Sequence, residues 1–208
     1  MPLVTDTPFG ADNLWLGSSY ELAIEVSPSA DDARLRVAIS SLLKSPEVAG
    51  PWLRREDMGG PVARSDELPL DPNPIAYCTT GVPNRGELGS AILAVRESGG
   101  SDWLSLSIPS GMLERVFDVQ YPLLAQANPW RAEIDQVLLR VAEKVYRSTA
   151  FDLAIVGEEC SGHVHASELD ASCLEHGKYL LSQRLFNTIE MHRWASSKET
   201  GLVWICRP

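Results

Sequence analysis

The densest chemistry in the chain is one short stretch, Gly157-Glu158-Glu159-Cys160-Ser161-Gly162-His163-Val164-His165, followed by Glu168, Cys173 and His176. Three of the four histidines and two of the four cysteines fall within it. Thiolates and imidazoles are soft and borderline ligands, so Cys160, His163, His165, Cys173 and His176 form a candidate metal set, and zinc is the ion such donors take. Cys173 and His176 stand three apart and share a face if their segment is helical. His163 and His165 stand two apart and share a side if theirs is extended. Glu158 and Glu159 are candidate catalytic carboxylates, as a ligand or as the base for a metal-bound water. Cys160 or Ser161 beside His163, with a glutamate orienting the ring, would make a nucleophile and its base.

Plainer readings compete with each of these. Leu169, Cys173, His176 and Leu180 are spaced 4, 3 and 4 apart, an ordinary core stripe in which Cys173 is a small buried hydrophobe. The spacing matches no common zinc finger or ribbon. Catalytic partners meet in space, so neighbours in sequence do not make a triad. Adjacent residues on an extended chain point to opposite faces, so Glu158 and Glu159 do not converge there. Packing and a solvated loop are the reading the spacing favours.

The stretch leaves the end of Phe151–Val156, a nearly continuous apolar run that reads as a central strand buried on both faces. Sites in open sheets gather beyond such strand ends. Before it lies the firmest helix, in which Ile134, Val137, Leu138, Val141 and Val145 follow a 3.6-residue period behind Asn128 as N-cap and Pro129. Earlier, Tyr20–Val26 alternates as a half-buried strand. A helix follows to about Lys44, opened by Ser29 and Asp32 as a capping box, with Leu35, Ala38, Ile39 and Leu42 as its stripe.

The middle reads as a meander of Ile75–Thr80, Leu88–Arg96 and Trp103–Ile108, the last two joined through Ser98-Gly99-Gly100-Ser101-Asp102. Met112–Phe117 reads as a short helix. Ser167 and Asp170 read as a second capping box opening a helix near Glu168–Glu175, and Ile189–Trp194 with Leu202–Cys206 as a terminal hairpin. Residues 177–188 carry no decisive pattern. Residues 1–18 read as an arm pinned by Trp15 and Leu16, and residues 54–74 as a long loop rich in proline and glycine. The expected architecture is a single domain over 1–208 of α+β class. It is a mostly antiparallel sheet with two to three helices packed mainly on one face.

Composition narrows the function classes. The 208 residues carry 28 Asp and Glu against 18 Lys and Arg, a formal net charge of -10. That field repels a phosphate backbone or an anionic membrane and attracts a basic protein. The start, Met1-Pro2-Leu3-Val4-Thr5-Asp6, carries neither basic residues nor an apolar run, so the expected location is cytoplasmic, with reduced cysteines. No phosphate loop, dinucleotide fingerprint, His-Glu-x-x-His or Gly-x-Ser-x-Gly motif occurs. Of the six tryptophans, Trp103 is singled out as a binding residue, because it sits with Ser105 and Ser107 opposite the apolar face of its strand. Two functions follow as expectations. One is a non-enzymatic protein-binding module, of the immunity or inhibitor type, acting on a basic partner. The other is a hydrolytic, metal-assisted enzyme centred on residues 158–176.

Overall fold

The computed structural model describes residues 9–63, 68, 70, 75–97, 100–175, 177–189 and 195–206. Nine strands form one antiparallel sheet: β1 Ser19–Val26, β2 Val48–Trp52, β3 Ile75–Val82, β4 Gly86–Val95, β5 Asp102–Pro109, β6 Leu153–Glu158, β7 Lys178–Ser182, β8 Ala195–Ser197 and β9 Leu202–Cys206. Their order across the sheet is β2-β3-β4-β5-β1-β6-β7-β9-β8. The helices are α1 Asp32–Leu43, α2 Ser110–Glu114, α3 Arg131–Ser148 and α4 Gln183–Phe186. The chain is therefore α+β, with the meander β2–β5 on one side of β1 and β6, β7, β9 and β8 on the other.

Helices α1, α2 and α3 cover one face. The expected stripes meet there: Leu35, Ala38, Ile39 and Leu42 of α1, and Ile134, Leu138, Val141 and Val145 of α3, pack on Tyr20, Leu22, Ile24, Leu104, Leu106 and Val156. Among the described residues no helix is long and apolar enough to cross a membrane. Beneath α3 lies a polar knot. The Tyr20 hydroxyl donates to Asp135 Oδ1 at 2.6 Å, the Lys178 ammonium pairs with Asp135, and the Arg131 guanidinium lies 5.2 Å from the Tyr20 ring centre.

Several local expectations are corrected. The cap of α1 is Asp31, which accepts from Arg34 N at 3.0 Å, in place of Ser29. Helix α3 begins at Arg131, not behind an Asn128 cap. The Asn128 amide is fully buried and ties the preceding loop instead, accepting from Gln120 N and Trp130 Nε1 and donating to Gln120 O and Leu124 O. No helix spans 168–175. Turns lead to a single 3-10 turn at Cys173–Glu175, and Leu180 belongs to β7, so the four-residue stripe does not exist. Strand β9 pairs with Ala195–Ser197; of its expected partner segment, residues 190–194 lie outside the described residues. The same holds for 1–8 of the arm and for 64–67, 69 and 71–74 of the long loop. In the arm, Trp15 is half-buried and donates to Phe9 O at 2.7 Å, whereas Leu16 is exposed.

Candidate functional site

Strand β1 was expected to show one face to water. Both are buried: Glu21, Ala23 and Glu25 are 6%, 0% and 5% exposed. The cause is the chemically dense stretch itself, which turns back at Glu159 (φ 45°) and folds over the sheet face away from α1 and α3. Its apolar residues Cys160, Leu169 and Leu174 pack on Ala23, Trp103, Leu153, Ile155, Leu181 and Val203. Its backbone cannot join the sheet, so its amides need other acceptors. The β1 glutamates supply them. Ser161 N donates to Glu21 Oε1 at 2.8 Å and Ala166 N to Glu25 Oε2 at 2.9 Å, while Glu159 N reaches Ser19 O at 3.0 Å.

This placement settles where the candidate residues stand. Cys160 is buried, and burial, reinforced by the Glu21 charge, pushes its thiol well above the usual value. A thiol held protonated is neither a good nucleophile nor a ready ligand. His163 is exposed. His165 sits between two carboxylates, Nδ1 3.2 Å from Glu25 Oε1 and Nε2 3.3 Å from Glu97 Oε2. Cys173 is half-buried, its carbonyl accepting from the Tyr179 hydroxyl at 3.0 Å. His176 lies outside the described residues. Among the described residues no three His, Cys, Asp or Glu side chains converge to hold an ion. Glu158 and Glu159 are both exposed; Glu158 Oε1 accepts from Ser18 Oγ at 2.5 Å. Asp170 accepts from the Ser172 hydroxyl and from the amides of Ser172 and Cys173, which hold its carboxyl at about 2 and cap the 3-10 turn. Trp103 is not an open contact residue. It is 2% exposed, its ring centre 5.6 Å from that of His165.

The covering segment seals only half of the face. Over β3, β4 and β5 the described residues leave a groove of about 560 Å³. That size is within the usual range for ligand clefts. Its floor has small and apolar side chains at Ala91 and Leu93 beside the hydroxyls of Ser105 and Ser107, and it runs out to Ile75 and Val95, which are 47% and 40% exposed. One rim is aromatic: Trp15 and Tyr77 meet edge to face at 5.2 Å. Arg55 stacks on Trp15 and pairs with Asp12 at 3.1 Å. The other rim is the covering segment, at Glu159 and Ser161.

At the inner end of the groove lies Glu21. The pairing of Glu21 with Ser107 and of Ala23 with Ser105 across β1 and β5 sets three polar side chains side by side. Ser107 Oγ donates to Glu21 Oε2 at 2.8 Å, and Ser161 Oγ donates to Glu21 Oε1 at 2.9 Å. Ser105 Oγ lies 2.5 Å from Ser161 Oγ. Among the described residues no lysine, arginine or histidine pairs with this carboxylate. Alternation in β1 and β5 was legible in the sequence, but the meeting of Glu21 with Ser161, 140 residues away, was not. No protein-family model matches the chain, and no curated protein or solved structure matches it.

Proposed function

We propose that the chain is a non-enzymatic protein-binding module of the inhibitor or immunity type, which takes a basic segment of a partner protein in the groove over β3, β4 and β5. The observation that carries this reading is the contrast within one sheet face. The half over β6, β7 and β9 is sealed by the covering segment, whereas the other half keeps apolar side chains exposed and has at its inner end a carboxylate with no cationic partner among the described residues. Exposed apolar surface with a polar rim is where partners dock. Charge complementarity favours a basic partner: Glu21 and Glu159 line the groove, the one cation among its described lining residues, Arg55, is paired with Asp12, and the whole chain is acidic. The hydrolytic alternative has less support, because the Cys160 thiol is sealed and both ring nitrogens of His165 face carboxylates.

Selection of a displayed library of random extended peptides on the purified chain tests the reading. Peptides carrying Lys or Arg among apolar residues are expected to be enriched. Enrichment should vanish for Leu93→Glu, which puts a charge on the apolar floor, and persist for Val37→Glu on the exposed face of α1. No enrichment, enrichment of acidic peptides, or selection indifferent to Leu93→Glu would overturn the proposal.

A further inference from the structure

Resting on the groove reading, the hydrogen-bond directions at Glu21 go further and name the basic group. Each serine hydroxyl has one proton to give. Ser161 spends its proton on Glu21 Oε1, so at the 2.5 Å contact Ser105 must donate to Ser161. Ser107 spends its proton on Glu21 Oε2. Every hydroxyl proton thus runs toward the carboxylate. What faces the groove is acceptor only: lone pairs on Ser105 Oγ and Ser107 Oγ, and the free lone pair of Glu21 Oε2. Oε1 is filled by the amide and the hydroxyl of Ser161. Glu21 is 6% exposed and its carboxylate has no counter-ion among the described residues, an arrangement that is costly unless a ligand supplies the charge.

We infer that Glu21, Ser105 and Ser107 form a cradle for one primary ammonium group, a lysine side chain or the amino terminus of the partner, in preference to a guanidinium. An ammonium carries three rotatable donors on a compact charge and can meet three separate acceptors. A guanidinium pairs most strongly when its planar fork meets both oxygens of a carboxylate, and here Oε1 is already filled. The stem of a lysine would lie along Ala91 and Leu93, where the groove is apolar.

The test is an amide-shift titration of the isotope-labelled full-length chain with n-pentylamine, n-pentylguanidinium and 1-pentanol. Pentylamine is expected to shift the amides of Ser105, Ser107 and Ser161 saturably. Pentylguanidinium should bind at least about tenfold more weakly and pentanol should leave these amides unmoved. Glu21→Gln keeps an acceptor for Ser161 and should lose the amine response by a similar factor. Ser107→Ala, which removes one acceptor and no charge, should weaken it by less. Equal binding of the guanidinium, an undiminished response in Glu21→Gln, or no saturable shift with the amine would overturn the cradle. If displayed peptides are still selected through Leu93 while the amine fails, the groove stands and the cradle falls. If selection fails as well, both fall.

Discussion

Replacing Glu21 by alanine should loosen the covering segment, and the size of the effect can be worked from its three bonds. The carboxylate accepts from Ser161 N at 2.8 Å, Ser161 Oγ at 2.9 Å and Ser107 Oγ at 2.8 Å. Hydrogen bonds to a charged group contribute about 1.5–3 kcal/mol each, so the gross loss is on the order of 4–9 kcal/mol. Two terms offset it. Relief of a buried, uncompensated charge returns several kcal/mol. Water entering the open groove can also serve the two hydroxyls. The amide of Ser161 is part-buried at the groove rim, and loss of its charged acceptor costs about 1–3 kcal/mol. The net expectation is a loss of roughly 2–3 kcal/mol, or about 4–12 °C in Tm at about 2–4 °C per kcal/mol for a chain of this size. Glu21→Gln retains an acceptor for Ser161 and should cost under about 1 kcal/mol. Calorimetry gives the global loss, and hydrogen exchange at Ser161 locates it. Alanine and wild type melting together would show that the carboxylate does not hold the segment. Glutamine falling as far as alanine would show that charge, rather than acceptor geometry, does the holding.

Two further outcomes follow from perturbed groups. Burial first, and then the Asp135 charge, raise the Tyr20 phenol far above its usual value. The neutral form is the one the fold keeps, so its contribution is whole below the unfolded pKa of about 10 and declines above it, by up to about 1.4 kcal/mol per pH unit. Urea midpoints taken on either side of that pH should fall more steeply for wild type than for Tyr20→Phe; parallel declines would refute the assignment. Burial also raises the thiols of Cys78, Cys160 and Cys206; Cys78 and Cys160 are buried, whereas Cys173 and Cys206 are half-buried. A thiol-specific reagent read by peptide mass spectrometry should label Cys173 first and reach Cys78 and Cys160 only on unfolding. Early labelling of Cys160 would mean that the covering segment opens in the native state.

Local pattern carried the regular elements. The 3.6-residue stripe of α3, the alternation of β1 and β5 and the apolar run of β6 each report which side of one element is buried, and that is written in consecutive residues. Where pattern was broken, the element was missed. Strand β2 carries Gly50 and Pro51 at its centre, residues that signal a turn in most contexts, and only pairing with β3 makes it a strand. Of the helix signals at Ser167 and Asp170, the second was real turn chemistry. Asp170 does gather the next amides, but Leu169 and Leu174 pack on the sheet face in place of lining one side of a helix.

The site divides in the same way. Composition and spacing marked residues 157–176 as the chemically rich stretch, and alternation placed Ser105 and Ser107 on the face opposite the core. Charge sign followed from counting. Only the tertiary structure decided that the stretch lies across β1 instead of emerging from the sheet end. That choice buried Trp103, left Cys160, His163, His165 and Cys173 without a converging metal set among the described residues and turned two strand glutamates into acceptors for a loop. The physical reason is range. A hydrogen bond between Ser161 and Glu21 depends on strand order β5-β1-β6, and strand order is set by the burial of all nine strands together, which no local window contains.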